Sequence, residues 1–166
     1  MKTTFKILAV LVAMVGFSAA SYAQSTASAT IVTPIAIAVV NNMNFGNINA
    51  GSGGTVVLPT TGARQATGGV TLPATTGTVS AASFTVSGQA DYTYSITLPS
   101  TVTITHSAGT ETMSIGTFVS DPATTGTLNG SGTQTLNVGA TLTVGSGQLA
   151  GVYTSASAFN VTVAYN

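Results

Sequence analysis

The chain contains no cysteine and no tryptophan, and only 4% of its 166 residues are charged. Each shortage excludes something. Without cysteine there is no disulfide, no thiolate nucleophile and no thiolate metal site, so the fold rests on its core alone. An ordinary domain is about 25% charged, so solubility here falls to Thr, Ser, Asn, Gln and Gly. Weak charge repulsion also permits close self-association. A nucleic-acid binder needs a basic footprint to neutralise phosphates, and three Lys and Arg residues in total do not supply one. An electrostatic membrane binder is excluded on the same ground.

The N-terminus accounts for two of the three basic residues. Lys2 and Lys6 precede an uncharged apolar run from Ile7 to Phe17, and Ser21-Tyr22-Ala23 places small residues at the −3 and −1 positions. This three-part order predicts a secretory signal peptide over residues 1–23, cleaved before Gln24. The apolar run is shorter than the roughly 20 residues that span a bilayer. No later segment is long and apolar enough to span either. The expected product, Gln24–Asn166, is a single domain exported to the periplasm, the cell surface or the medium. Its charged side chains are Arg64, Asp91, Glu111 and Asp121.

Helical periodicity is absent beyond the signal segment. Thr and Val, which favour pleated half-buried surfaces, alternate in short runs punctuated by Gly and Pro. Ala27, Ala29 and Ile31 alternate with polar neighbours, as do Phe84 and Val86, Val102 and Ile104, and Phe159, Val161, Val163 and Tyr165. Ile35, Ile37 and Val39 alternate with alanine. Tyr92, Tyr94, Ile96 and Leu98 share one predicted core face. Leu136 and Val138 precede Gly139, and Leu142 and Val144 follow it. Alternation gives each strand one core face and one wet face. The expected fold is all-β, an antiparallel sandwich of about seven to nine strands.

The inventory for catalysis is nearly empty. A glycosidase needs two carboxylates across one bond, and the acids are scattered. His106 could serve a serine as base, but no G-x-S-x-G motif is present, and an exposed position at the end of the Val102 strand is expected for it. One His and three acids give no zinc spacing, and there is no D-x-D-x-D run for calcium. Gly51-Ser52-Gly53-Gly54 lacks the helix and lysine of a phosphate loop and reads as a turn. No enzyme activity, cofactor or metal is expected.

The two ends of the exported chain carry the remaining signal. Phe159–Tyr165 reads as a terminal strand with Tyr165 penultimate. Gln24–Thr33 reads as an extended strand separated from the next by Pro34, a residue confined to edges, bulges or strand starts. Thr33-Pro34-Ile35, Asn44-Phe45-Gly46-Asn47-Ile48, Leu136-Asn137-Val138-Gly139-Ala140-Thr141-Leu142 and Gly151-Val152-Tyr153 together resemble a bacterial family catalogued as domain of unknown function 4402. More distantly the layout resembles spore coat protein U and the archaic chaperone–usher pilins.

That resemblance implies an immunoglobulin-like sandwich. The pilin likeness further implies a fold short of one strand, filled by the N-terminal segment of the next subunit through β-augmentation. On this chain Ala27, Ala29 and Ile31 would fill the groove. Phe159, Val161, Val163 and Tyr165 would line an edge or be read by a periplasmic chaperone. The expected function is therefore an exported structural or adhesive surface protein, a fimbrial subunit joined to copies of itself or to related subunits. The other reading is a self-contained surface module that binds carbohydrate or protein, with Tyr92, Tyr94 and Tyr153 as contact residues. In that case Gln24–Thr33 pairs within its own chain.

Overall fold

A computed structural model describes residues 21–166; the signal segment falls almost wholly outside them. The chain divides into two units between Ile31 and Val32. Residues 21–31 are exposed and belong to no strand. Among the described residues no strand is formed over Gln24–Thr33. Ser, Thr and Ala offer too little apolar surface there to offset the entropy of ordering the backbone.

The second unit, Val32–Asn166, is all-β with eleven strands: β1 Ala36–Asn41, β2 Gly54–Leu58, β3 Gln65–Gly68, β4 Ala82–Ser87, β5 Thr93–Thr97, β6 Thr101–His106, β7 Thr112–Asp121, β8 Thr125–Thr127, β9 Thr133–Val144, β10 Tyr153–Ser155 and β11 Thr162–Tyr165. They form an antiparallel sandwich of unequal layers. The eight-stranded sheet runs β1-β4-β9-β7-β6-β10, with β2 joining β9 and β3 joining β2. The other sheet has three strands, β11-β5-β8.

The twelve-residue β9 organises both layers. Leu136, Val138, Ala140, Leu142 and Val144 recur at period 2 and are all buried, so one face of a single strand passes through the whole core. Along one flank its partner changes. Thr133–Val138 pairs with β4, and Ala140–Val144 pairs with β2. Gly139 sits at the exchange, where a Cβ would stand 2.4 Å from the Leu58 carbonyl oxygen and 2.8 Å from the Pro59 backbone. Gly139 does not interrupt β9, which runs straight through.

The other flank of β9 meets β7, whose register shifts between Gly116 and Val119. Thr117 adopts a φ of 47° there. This β-bulge changes the phase of the strand. Met113 and Ile115 face the core before it, Phe118 faces the core after it, and Val119 is left 47% exposed.

Two apolar clusters result. One joins Val56, Leu58, Ile115, Ala140, Leu142 and Val144 to Phe45 and Val70 from connecting segments. The other holds Phe84, Val86, Leu136 and Val138 against Tyr94, Leu128, Ile96, Val163 and Tyr165, so only this half lies beneath the small sheet. Met43 and Phe118 touch both clusters. The tyrosine alternation does not hold at its start: Tyr94 is fully buried, whereas Tyr92 is 43% exposed. Tyr92 precedes β5, next to Asp91 with a φ of 64°. The strands β3, β8 and β10 are additions to the sequence expectation, being three or four residues long with little apolar alternation.

Two predictions follow from this core. Gly139→Ala should lower stability by about 2–4 kcal/mol in urea unfolding, because the new methyl meets backbone that cannot rotate away. Gly130→Ala, with nothing within 4 Å of the added carbon, should stay within about 0.5 kcal/mol of the parent. The second concerns Tyr94, whose hydroxyl donates to Gln134 Oε1 at 2.8 Å. Burial raises its pKa above the ordinary value, so the folded state holds this proton more tightly than the unfolded state. The resulting stability is complete below about pH 10, the unfolded value, and is lost as pH rises through the folded value. Tyr94→Phe should flatten that alkaline loss in unfolding curves recorded from pH 9 upward.

Candidate functional groove

Because the small sheet covers one half of the large one, the other half is roofed by connecting segments. A groove of about 960 Å³ remains there. Val102 and Ile104 of β6, Met113 and Ile115 of β7, and Leu142 and Val144 of β9 line it. These are the core-facing members of three adjacent strands, so the floor is apolar by the same alternation that builds the fold, while Asn44, Asn47, Asn49 and Gln148 make the walls partly polar. One wall is Met43–Gly51 and the other Gly147–Ser155. On the second wall Leu149 is 50% and Val152 64% exposed.

The first wall contains the Asn-Phe-Gly motif, and each of its residues has a structural task. Asn44 forms a backbone bridge with Ser80, donating N–H at 2.8 Å and accepting at 2.9 Å. Its Oδ1 accepts from the Gly46 N–H at 2.8 Å. Phe45 is buried in the first cluster. Gly46 has a φ of 68°, and a Cβ would lie 2.3 Å from the Thr76 carbonyl oxygen. The Asn47 side chain donates to Thr75 O at 3.1 Å.

Arg64 fastens this wall. Its guanidinium donates to Phe45 O and, at 3.3 Å, to Thr76 O. The cation thus ties the wall to the neighbouring 69–80 segment rather than meeting a carboxylate. Burial lowers its pKa from the usual value, but a guanidinium remains charged in proteins. In the sequence Arg64 stands out only as the one basic residue of the expected product. Its long reach to two carbonyls is a tertiary feature with no local signal.

The second wall is fastened by His106. It is not the exposed loop residue expected, but is 9% exposed at the last position of β6. Its Nδ1 accepts from the Ala108 N–H at 3.1 Å, and its Nε2 lies 3.2 Å from Ala150 O. With Nδ1 accepting, Nε2 is the nitrogen that donates. Tyr153 packs edge-on against the imidazole at 5.0 Å, and its hydroxyl donates to Leu149 O at 2.8 Å. The Gly-Val-Tyr motif therefore shapes this wall, and both histidine nitrogens are occupied by backbone.

Of the remaining candidates, Glu111 neighbours His106, whose backbone N–H donates to Glu111 O at 2.8 Å. Asp91 lies before β5, Glu111 just before β7, and Asp121 at its end. No group of three or more His, Cys, Asp or Glu side chains able to hold a metal occurs among the described residues. Of the proposed sugar-binding tyrosines, Tyr94 is inside the core, and Tyr92 packs edge-on against Tyr165 at 5.5 Å. Val163 and Tyr165 lie on β11, an edge of the small sheet that pairs with β5. Phe159 and Val161 precede that strand, and all four are half-buried against the second cluster. Ala27, Ala29 and Ile31 are exposed, Ile31 at 97%. Among the described residues no helix is long and apolar enough to cross a membrane.

Arg64→Met should cost about 1.5–3 kcal/mol in urea unfolding, since it removes charge-assisted bonds from two carbonyls. It should also speed amide hydrogen exchange across Asn44–Ile48. Arg64→Lys should recover less than half of the loss, because an ammonium cannot fork between two acceptors in the same way.

The family model described as domain of unknown function DUF4402 matches residues 35–165. No curated protein and no solved structure matches the chain. The match spans every strand of the sandwich, and the chain belongs to this family.

Proposed function

We propose that this family member is an exported structural or adhesive subunit of the cell surface, without a catalytic step, that assembles by lending residues 24–33 to the groove of a second copy. The observation that carries this reading is the pairing of two incomplete features. The large sheet keeps a groove with an apolar floor that the three-stranded sheet does not cover. The chain also carries an uncharged, extended-pattern segment that has no strand partner among the described residues and includes the 97% exposed Ile31.

The chemistry of the two is matched. Neither the segment nor the groove lining contains a charged side chain, so docking strands no ion away from water. Ten extended residues reach about 33 Å, enough to run the length of a sheet face. Strands β7 and β9 of the floor are already paired on both flanks, so apolar burial would give much of the affinity, and main-chain hydrogen bonds, as in β-augmentation, would come from the Thr101–Thr103 stretch of β6 that β10 leaves unpaired. Ile31 would add about 1.5–3 kcal/mol on burial, and Ala27 and Ala29 less. The small alanines suit a groove already narrowed by Leu149 and Val152. A second copy is the favoured donor because the segment and the groove occur in every molecule.

Deleting residues 24–31 should abolish assembly in sedimentation velocity while leaving the β-sheet circular dichroism and the unfolding midpoint near the parent's. Ile31→Asp should weaken association by about 30-fold or more, equivalent to at least 2 kcal/mol. A deletion variant that still forms the same oligomers would overturn the reading. Parent protein that stays monomeric at high concentration would favour a self-contained binding module instead.

A further inference from the structure

The root of the N-terminal segment is held by side chains far away in sequence. The Tyr165 hydroxyl donates to Thr33 O at 2.7 Å and accepts from the Gln89 N–H at 2.6 Å. The Gln89 side-chain Oε1 in turn accepts from the Thr33 N–H at 3.2 Å. Thr33 is thus gripped at both its donor and its acceptor, by Tyr165 of β11 and by Gln89 in the turn after β4. The next residue is Pro34, which bars the helical region at Thr33 and keeps it extended. Tyr165 is itself braced by Tyr92 and by its place in the second cluster. A single hydrogen bond to a frayed end would be unremarkable, but a two-sided grip on a residue outside every strand is a built attachment.

We propose that Tyr165 and Gln89 are positioning residues that fix where the segment before Thr33 leaves the sandwich, so that it is offered to a second copy from one defined point. The inference rests on the assembly reading above. It assigns a separate task, since the clamp acts on the donor and not on the groove. A root left free would let the segment sample many directions, lowering its effective concentration at the neighbour's groove. The clamp therefore governs the rate and uniformity of assembly more than the affinity of the docked strand.

The test compares the full exported chain with Tyr165→Phe, which keeps the ring and removes the hydroxyl, and with Gln89→Ala and Gln89→Glu. In Tyr165→Phe, amide exchange at Gln89 should rise at least ten-fold while exchange in β9 stays unchanged. Assembly followed by light scattering should slow at least five-fold. Gln89→Ala should slow it similarly, and Gln89→Glu, which retains an acceptor oxygen, should restore most of the rate. A synthetic peptide of residues 24–33, added as competitor, should block assembly at the same concentration for every variant, because it needs no root. Unaltered assembly by Tyr165→Phe and Gln89→Ala would overturn the clamp while leaving the assembly reading intact. A shift in the peptide's blocking concentration would also overturn it, by placing the defect in the groove. Failure of the parent chain to assemble would overturn the assembly reading and the clamp's role in it together.

Discussion

The constraint on which the structure depends is the continuous inward face of β9. Five alternate residues of this strand are buried, and they serve two different clusters. A strand of ordinary length could anchor one core layer. At twelve residues this one outruns any single partner on its flank, so β4 and β2 share that flank end to end. The absence of a side chain at Gly139 lets β2 arrive at the junction. With no cysteine to form a disulfide, the cooperation of the two halves rests on this strand and on Met43 and Phe118, which touch both sides.

The division has a consequence for what the molecule presents to its surroundings. Above one half, Tyr94, Leu128 and the residues of β11 close the core. Above the other there is no second sheet, only two walls formed from connecting segments. Each wall is secured by one ionisable side chain reaching to backbone carbonyls, Arg64 on one side and His106 on the other. In a chain so poor in charge, these two residues carry a disproportionate share of loop order.

Much of the fold was legible in the alternation. Phe84 and Val86, Val102 and Ile104, and Leu136 through Val144 face inward as their period-2 spacing demands, because a residue's face in a strand is decided locally. What was not legible depends on partners. Val39 falls on the inward phase of β1 but is 62% exposed, since covering is supplied by another layer. Tyr92 and Tyr94 differ because β5 begins between them. His106 was placed in solvent because its shelter comes from residues more than forty positions downstream. The Asn-Phe-Gly and Gly-Val-Tyr motifs were visible as motifs, yet nothing local told that both are walls of one groove.

The segment before Thr33 shows the limit of reading alternation as structure. Ala27, Ala29 and Ile31 have the period of a strand, but period alone does not order a chain. A strand forms when hydrogen bonds and buried area together exceed the entropy of fixing the backbone. Two alanines and one isoleucine contribute little area, so the outcome turns on whether an unpaired sheet edge is within reach. The alternation is then a statement of competence rather than of conformation. It marks a segment able to become a strand where another surface supplies the missing edge and the missing apolar contact.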